Sequence, residues 1–348
     1  MVIWPRERAF AARAEAGSAG AMQALLERID AGELEGARTD AASLEPFWTN
    51  RGPDLLRPSL QVAVGLADAA GTRVVAAPFR LEMLAAGHAP LLAALARAYG
   101  DPWVLELIGS WNSPNRSVAP DQLTCVSENL LPLCRTLRQH SADPIADGIT
   151  GLVWESLWNR IERGMDQRHP TQRREYLGDL GEPLARELEA ASDTLGAEIA
   201  ESLQPLGEAA VELLVPVLRA FRLPPTQAKI SIAHDCRARL AVIAGRPARA
   251  ANDWSIPWTG CGCGRCERLA GFLASPSERT HEWPLAKLGR QHIHQQIDAA
   301  GLPLQHSTRR KGSPYTLVIK KTDELFRQED LALRQAQSDL AWLIATFG

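Results

Sequence analysis

Apolar residues recur three and four positions apart from Glu7 to about Gly245, interrupted at short intervals by Gly and Pro, and this pattern predicts helices. The chain is therefore expected to be all-α over residues 1–250. The spacing places helices at Gln61–Ala70, Ala76–Ala86, His88–Tyr99, Pro102–Trp111, Leu123–His140, Pro144–Met165 and Thr226–Ala244. The longest stripe runs through Leu180, Leu184, Leu188, Leu195, Ile199, Leu203 and Leu206, and reads as one amphipathic helix. Helices of ten to twenty residues with short Gly- or Pro-containing links suggest stacked hairpins resembling an α-solenoid, although no repeat of fixed period is present.

After Arg246-Pro247 the pattern changes from a period of three to four towards alternation. Leu304–Arg309 and Tyr315–Lys321, rich in β-branched and aromatic residues, flank Arg310-Lys311-Gly312-Ser313-Pro314 and predict a β-hairpin. Arg279–Leu285 is expected to add a third strand and Ala286–Ala300 a helix packed on the sheet. A closing helix is expected over Asp323–Phe347, with Leu325, Leu331, Leu340 and Leu343 inward. The expected fold is mainly α: an α-solenoid-like helical array over residues 1–250, then a small α+β module over 251–348 with a β-hairpin and a Cys cluster.

The 348 residues are 45% hydrophobic, ample for a packed core, and a net charge of −3 excludes a globally basic nucleic-acid or membrane binder. Locally the picture differs. Nine acidic residues against one basic between Asp179 and Glu212 give −8, read as the solvent face of the stripe helix. Eight Lys or Arg against Glu282 and Asp298 between Arg279 and Lys321 give +6. Trp154 and Trp158, four apart, share one helical face and are ordinarily core. Met1-Val2-Ile3-Trp4-Pro5-Arg6 carries no apolar export signal and no window approaches a membrane span, so a cytoplasmic protein is expected.

Six Cys, three of them in Gly260-Cys261-Gly262-Cys263-Gly264-Arg265-Cys266, fit a metal or redox cluster in a reducing compartment better than a disulfide framework. Glycines let the backbone curl so that several sulfurs face one ion, and a following helix N-terminus favours negative charge. Zinc wants a fourth ligand, and His281, His292, His294 and Cys236 are candidates. On a helix, His292 and His294 point about 200° apart, so both cannot reach one ion. The expectation is a structural zinc on Cys261, Cys263 and Cys266 with His292 or His281, leaving His294 exposed. Leu285, Leu288, Ile293, Ile297 and Ala300 are expected to share the helix's apolar face. Cys125 and Cys134 are read as buried structural thiols.

Phosphate-loop, nucleophile-elbow, zincin and dinucleotide signatures are absent, and none of the eight His is followed two residues later by Asp or Glu. His234-Asp235-Cys236 offers neighbouring Cys and His, whose side chains diverge on a helix. Three functional readings stay open. The first is a non-enzymatic scaffold or recognition protein that meets a protein partner through Arg290, His294, Arg309, Arg310, Lys311, Lys320 and Lys321. The second is an enzyme or enzyme subunit using Cys263, Cys266, His292, His294 and Arg290. The third is nucleic-acid binding through residues 279–321.

Cys263–Cys266, Leu269–Leu273, Arg290-Gln291-His292-Ile293-His294 and the run from Arg310 to Lys320 resemble the C-terminal region that accompanies prolyl-4-hydroxylase-like 2-oxoglutarate/Fe(II) oxygenase domains in fungal and bacterial proteins. Pro46-Phe47-Trp48 and Tyr99-Gly100-Asp101-Pro102-Trp103 are loosely similar to the helical part of the same proteins. The likeness covers about the last hundred residues. Because the His-x-Asp iron motif is missing, the resemblance implies a role accessory to such a hydroxylase and not the hydroxylase activity itself.

Overall fold

The computed structural model describes residues 18–43, 52–76, 79–111 and 120–347. The similarity at Pro46-Phe47-Trp48 and the side chain of Cys125 lie outside the described parts. Along the chain the helices are α1 (Ser18–Asp30), α2 (Leu34–Ala42), α3 (Leu56–Leu66), α4 (Ala69–Ala76), α5 (Ala89–Tyr99), α6 (Asp101–Trp111), α7 (Pro120–Gln139), α8 (Asp143–Met165), α9 (Pro170–Asp179), α10 (Gly181–Ala190), α11 (Asp193–Ser202), α12 (Val211–Ala220), α13 (Gln227–Ala244), α14 (Gly264–Ala274), α15 (Lys287–Ala299) and α16 (Glu324–Phe347). Strand β1 (Thr280–Pro284) precedes α15, and β2 (Leu304–Arg309) and β3 (Thr316–Lys321) precede α16. The fold is thus mainly helical with a small α+β part at its C-terminal end, as the periodicities predict. Among the described residues no helix is long and apolar enough to cross a membrane.

Two compact units form, and the chain passes between them more than once. The first comprises Met1–Arg160, Glu182–Ser202 and Ala220–Ala228; the second comprises Ile161–Gly181, Leu203–Arg219 and Lys229–Gly348. Residue 250, where the periodicity changes, lies in the second unit, which also takes in α9, most of α12 and most of α13.

In the first unit Met22, Leu25, Val62, Leu66 and Val75 bring α1, α3 and α4 together around the small Ala37 and Ala41 of α2. Trp111 donates its indole N–H to the Ala76 carbonyl at 2.9 Å and meets Phe79 edge to face. The helix expected over Ala76–Ala86 does not form; short 3₁₀ turns at Leu81–Met83 and Ala86–His88 stand there instead.

The stripe from Leu180 to Leu206 is not one helix. It divides into α10, α11 and a 3₁₀ turn at Gln204–Leu206, split where the Ser192 hydroxyl accepts the Leu195 amide at 3.3 Å and caps α11. The acidic face is also only partly solvated. Glu189 is buried against Arg186 at 2.6 Å and accepts the amides of Arg222 and Leu223, while both oxygens of Glu187 are buried without a hydrogen-bond partner.

In the second unit the sheet order is β1-β3-β2, all antiparallel. Trp283, Leu317 and Thr308 lie opposite one another, as do His281, Ile319 and His306. Period-two alternation sends these rows to the covered face, where Leu269, Phe272 and Leu273 of α14 and Ile293 and Ile297 of α15 complete the core. Glu282, Ser307, Arg309 and Lys320 line the open face. Along α16, Leu325 and Leu343 are buried and Leu340 half-buried, but Leu331 is 63% exposed, about 140° round the helix from the buried Ala336. Asp339 takes an inward position there, paired with Arg219 at 2.6 Å.

Candidate metal centre

The three cysteines sit where an irregular segment becomes a helix. Gly262 has φ +80°, a left-handed conformation that turns the chain between Cys261 and Cys263. Gly260 lies so close to Cys266 that a β-carbon on it would stand 2.5 Å from Cys266 Cβ and 2.9 Å from its Sγ. Cys263 is the N-cap of α14, which starts at Gly264. Cys266, on the first turn of α14, is 1% exposed, whereas Cys261 is exposed and Cys263 half-buried.

His292 arrives from α15. Its Nε2 lies 3.6 Å from Cys261 Sγ, 3.4 Å from Cys263 Sγ and 3.3 Å from Cys266 Sγ, and Cys261 Sγ and Cys266 Sγ are 3.6 Å apart. All four ligand atoms lie within 4.8 Å of one another, an arrangement that could hold a metal ion. Ile293 beside His292 is buried in the core, so packing fixes the rotation of α15 and aims the imidazole at the sulfurs. The Cys263 thiol is pulled down to about 6, first by the backbone amide of Cys266, then by the Cys261 thiol. Burial pushes the Cys266 thiol up to about 11.

The other proposed ligands stand elsewhere. His281 projects from β1 onto the Phe272 ring, with a centroid separation of 5.2 Å, and its Nδ1 pairs with Glu278 at 3.1 Å. The structure brings His292, and not His281, to the cysteines, because strand alternation turns His281 to the apolar face. Cys236 is buried in α13 with its thiol pushed up to about 12, and its neighbour Asp235 pairs with Arg239. Cys134 is likewise buried, beside Thr150.

His294 does not stand free in solvent, as expected from the helical wheel. It is half-buried, its Nδ1 2.5 Å from His306 Nδ1 and its Nε2 3.4 Å from Thr308 Oγ1, and His306 Nε2 meets Asp298 at 3.0 Å. The wheel was correct in separating His294 from His292, but β2 covers that flank of α15. His306 and Thr308 were legible only as alternate strand positions. Nothing local in the sequence paired them with a helix twelve or fourteen residues earlier. Leu288, placed by the wheel on the apolar face, is 77% exposed, one turn from His292.

The basic residues divide into two groups. Lys321 is fully buried, so it cannot face a partner: alternation on the central strand β3 points it inward with Leu317 and Ile319. Its Nζ donates to the carbonyls of Leu273 at 3.0 Å and Ser275 at 2.7 Å, and lies 4.8 Å from the centre of the Phe272 ring. Arg290 donates to the carbonyls of Leu285 and Tyr315 and stacks on the Tyr315 ring. Arg309 makes a bidentate pair with Glu282 across the open sheet face, and both groups are shifted towards their charged forms by that hydrogen bond. Lys287, Arg310, Lys311 and Lys320 remain exposed.

Compared with protein-family models, with curated proteins and with solved structures, the chain finds no match.

Proposed function

We propose that residues 251–348 form a zinc-stapled recognition element of a scaffold protein, with Arg310 and Lys311 at the tip of the β2–β3 hairpin meeting an acidic partner. The observation that carries the reading is the size of the ligand cluster. Tetrahedral zinc with Zn–S of about 2.3 Å and Zn–N of about 2.0 Å requires S···S edges of about 3.8 Å and S···N edges of about 3.5 Å. The Cys261–Cys266 S···S separation of 3.6 Å and the three S···N separations of 3.3 to 3.6 Å lie close to these, and all four ligand atoms lie within 4.8 Å of one another. Three thiolates and an imidazole are a soft donor set suited to zinc. A filled Cys₃His shell leaves no coordination position for substrate, so the metal's role is to join the 260–263 loop, α14 and α15.

Support for the partner surface comes from four exposed cations within residues 279–321 that make no internal pair, three of which, Lys287, Arg310 and Lys311, flank the hairpin end of the sheet. The resemblance to the region accompanying 2-oxoglutarate oxygenases points to an oxygenase chain as the class of partner.

The test is elemental analysis of purified, reduced protein. About one zinc per chain, falling to less than half in Cys263→Ser, supports the reading. Zinc far below one per chain and unchanged by Cys263→Ser overturns it. For the hairpin, Arg310→Ala with Lys311→Ala should weaken retention on an immobilised acidic polypeptide at low salt; equal retention removes that surface. Retention on single-stranded DNA with a steep salt slope and none on the polypeptide assigns the cations to nucleic acid instead.

A further inference from the structure

We propose that Cys261 is the peroxide-reactive ligand of the metal centre, and that its oxidation ends in a Cys261–Cys266 disulfide with release of the ion. The inference rests on the zinc reading and adds a regulation to the same site.

Three observations carry it. First, access is unequal: Cys266 is buried and Cys263 and His292 are half-buried, but Cys261 is exposed, so it offers an oxidant in solvent the most open sulfur of the three. Second, the resolving sulfur is already in place. Cys261 Sγ and Cys266 Sγ are 3.6 Å apart, and closing to a disulfide of about 2.05 Å needs a shift of about 1.5 Å. Third, the segment that must make the shift is Gly260-Cys261-Gly262, where Gly262 already has φ +80° and Gly260 already touches Cys266, while Cys266 is anchored in α14.

The chemistry balances with hydrogen peroxide as the oxidant. The Cys261 thiolate attacks one peroxide oxygen, the O–O bond breaks, hydroxide leaves, and Cys261 becomes a sulfenic acid. The Cys266 thiolate then attacks that sulfur, the S–O bond breaks, and a second hydroxide leaves. Two thiolates lose two electrons, peroxide gains them, and two protons from solvent complete two waters. Only Cys263 and His292 then remain as ligands, too few for a structural zinc site, so the ion leaves and α15 loses its tie to α14. A dithiol reductant supplies the two electrons that restore the thiolates.

The experiment uses the full chain loaded with zinc. Metal content of the reduced protein is measured first, and then peroxide is added with a chromogenic zinc chelator present while disulfides are mapped by peptide mass spectrometry. The expected result is one zinc released per Cys261–Cys266 disulfide, reversed by dithiothreitol and added zinc. Cys261→His, which keeps four ligands but no exposed thiol, should hold zinc and release it at least ~10-fold more slowly. Zinc present but released equally fast by Cys261→His overturns the inference and leaves the staple reading intact. So does release from the unaltered protein with Cys261 recovered as a sulfinic acid, or with a disulfide joining a different pair. Reduced protein without zinc overturns both.

Discussion

Lys321 inverts what its residue type suggests, since it is fully buried. Its ammonium closes the C-terminal end of α14, donating to the Leu273 carbonyl, which also accepts the Ile256 amide, and to the carbonyl of the C-cap Ser275. Lys321→Met keeps the stem and removes the donor, and is expected to cost about 1–3 kcal/mol in chemical denaturation. An unchanged midpoint would show that these carbonyls find other partners. At the other end of the same helix, Gly260→Ala puts a methyl group into Cys266. We expect overpacking of about 1–3 kcal/mol together with weaker retention of the proposed zinc in a competition titration, and retention equal to that of the unaltered chain would contradict the close approach.

Among the elements, α14 and α15 differ from the strands in what holds them. The sheet is closed by backbone ladders and by Leu317 and Ile319 in the core, whereas the start of α14 and the His292 turn of α15 are joined by the ligand cluster. On the proposed metal-bound reading, a chelator should therefore speed amide exchange at residues 263–268 and 289–293, and leave β2 and β3 protected. Uniform deprotection of the whole α+β part would show instead that the ion is needed for the core to form. In the first unit the break between α10 and α11 rests on Ser192, and Ser192→Ala should cost about 1 kcal/mol through loss of the cap.

For the whole molecule, stability and pH are linked through Glu187. Burial raises its pKa well above the ordinary carboxyl value, and neither oxygen has a hydrogen-bond partner. Because the folded-state pKa is the higher one, the folded chain binds more protons than the unfolded chain above pH 4.5. The native state is favoured at low pH and loses ground as pH rises from that value through the native pKa. Glu187→Gln removes this dependence, so its thermal midpoint relative to wild type should rise between pH 4.5 and pH 7.5. An equal difference at both pH values would show that the carboxyl finds a partner or water in solution.

Periodicity was enough for the helical class, the hairpin between Leu304 and Lys321 and the third strand, because local spacing decides which face of an element is apolar. The Cys cluster was equally legible, since C-x-C-x-x-C among glycines is a local pattern. Tertiary structure alone decided the choice of His292 over His281, the pairing of His294 with His306 and the burial of Lys321. Each depends on which element covers a given face, and two helices and a strand from separate stretches had to pack before those faces existed. The same reason divides the −8 segment into buried and solvated carboxylates: sequence counts charges, but only packing sets the water around each one.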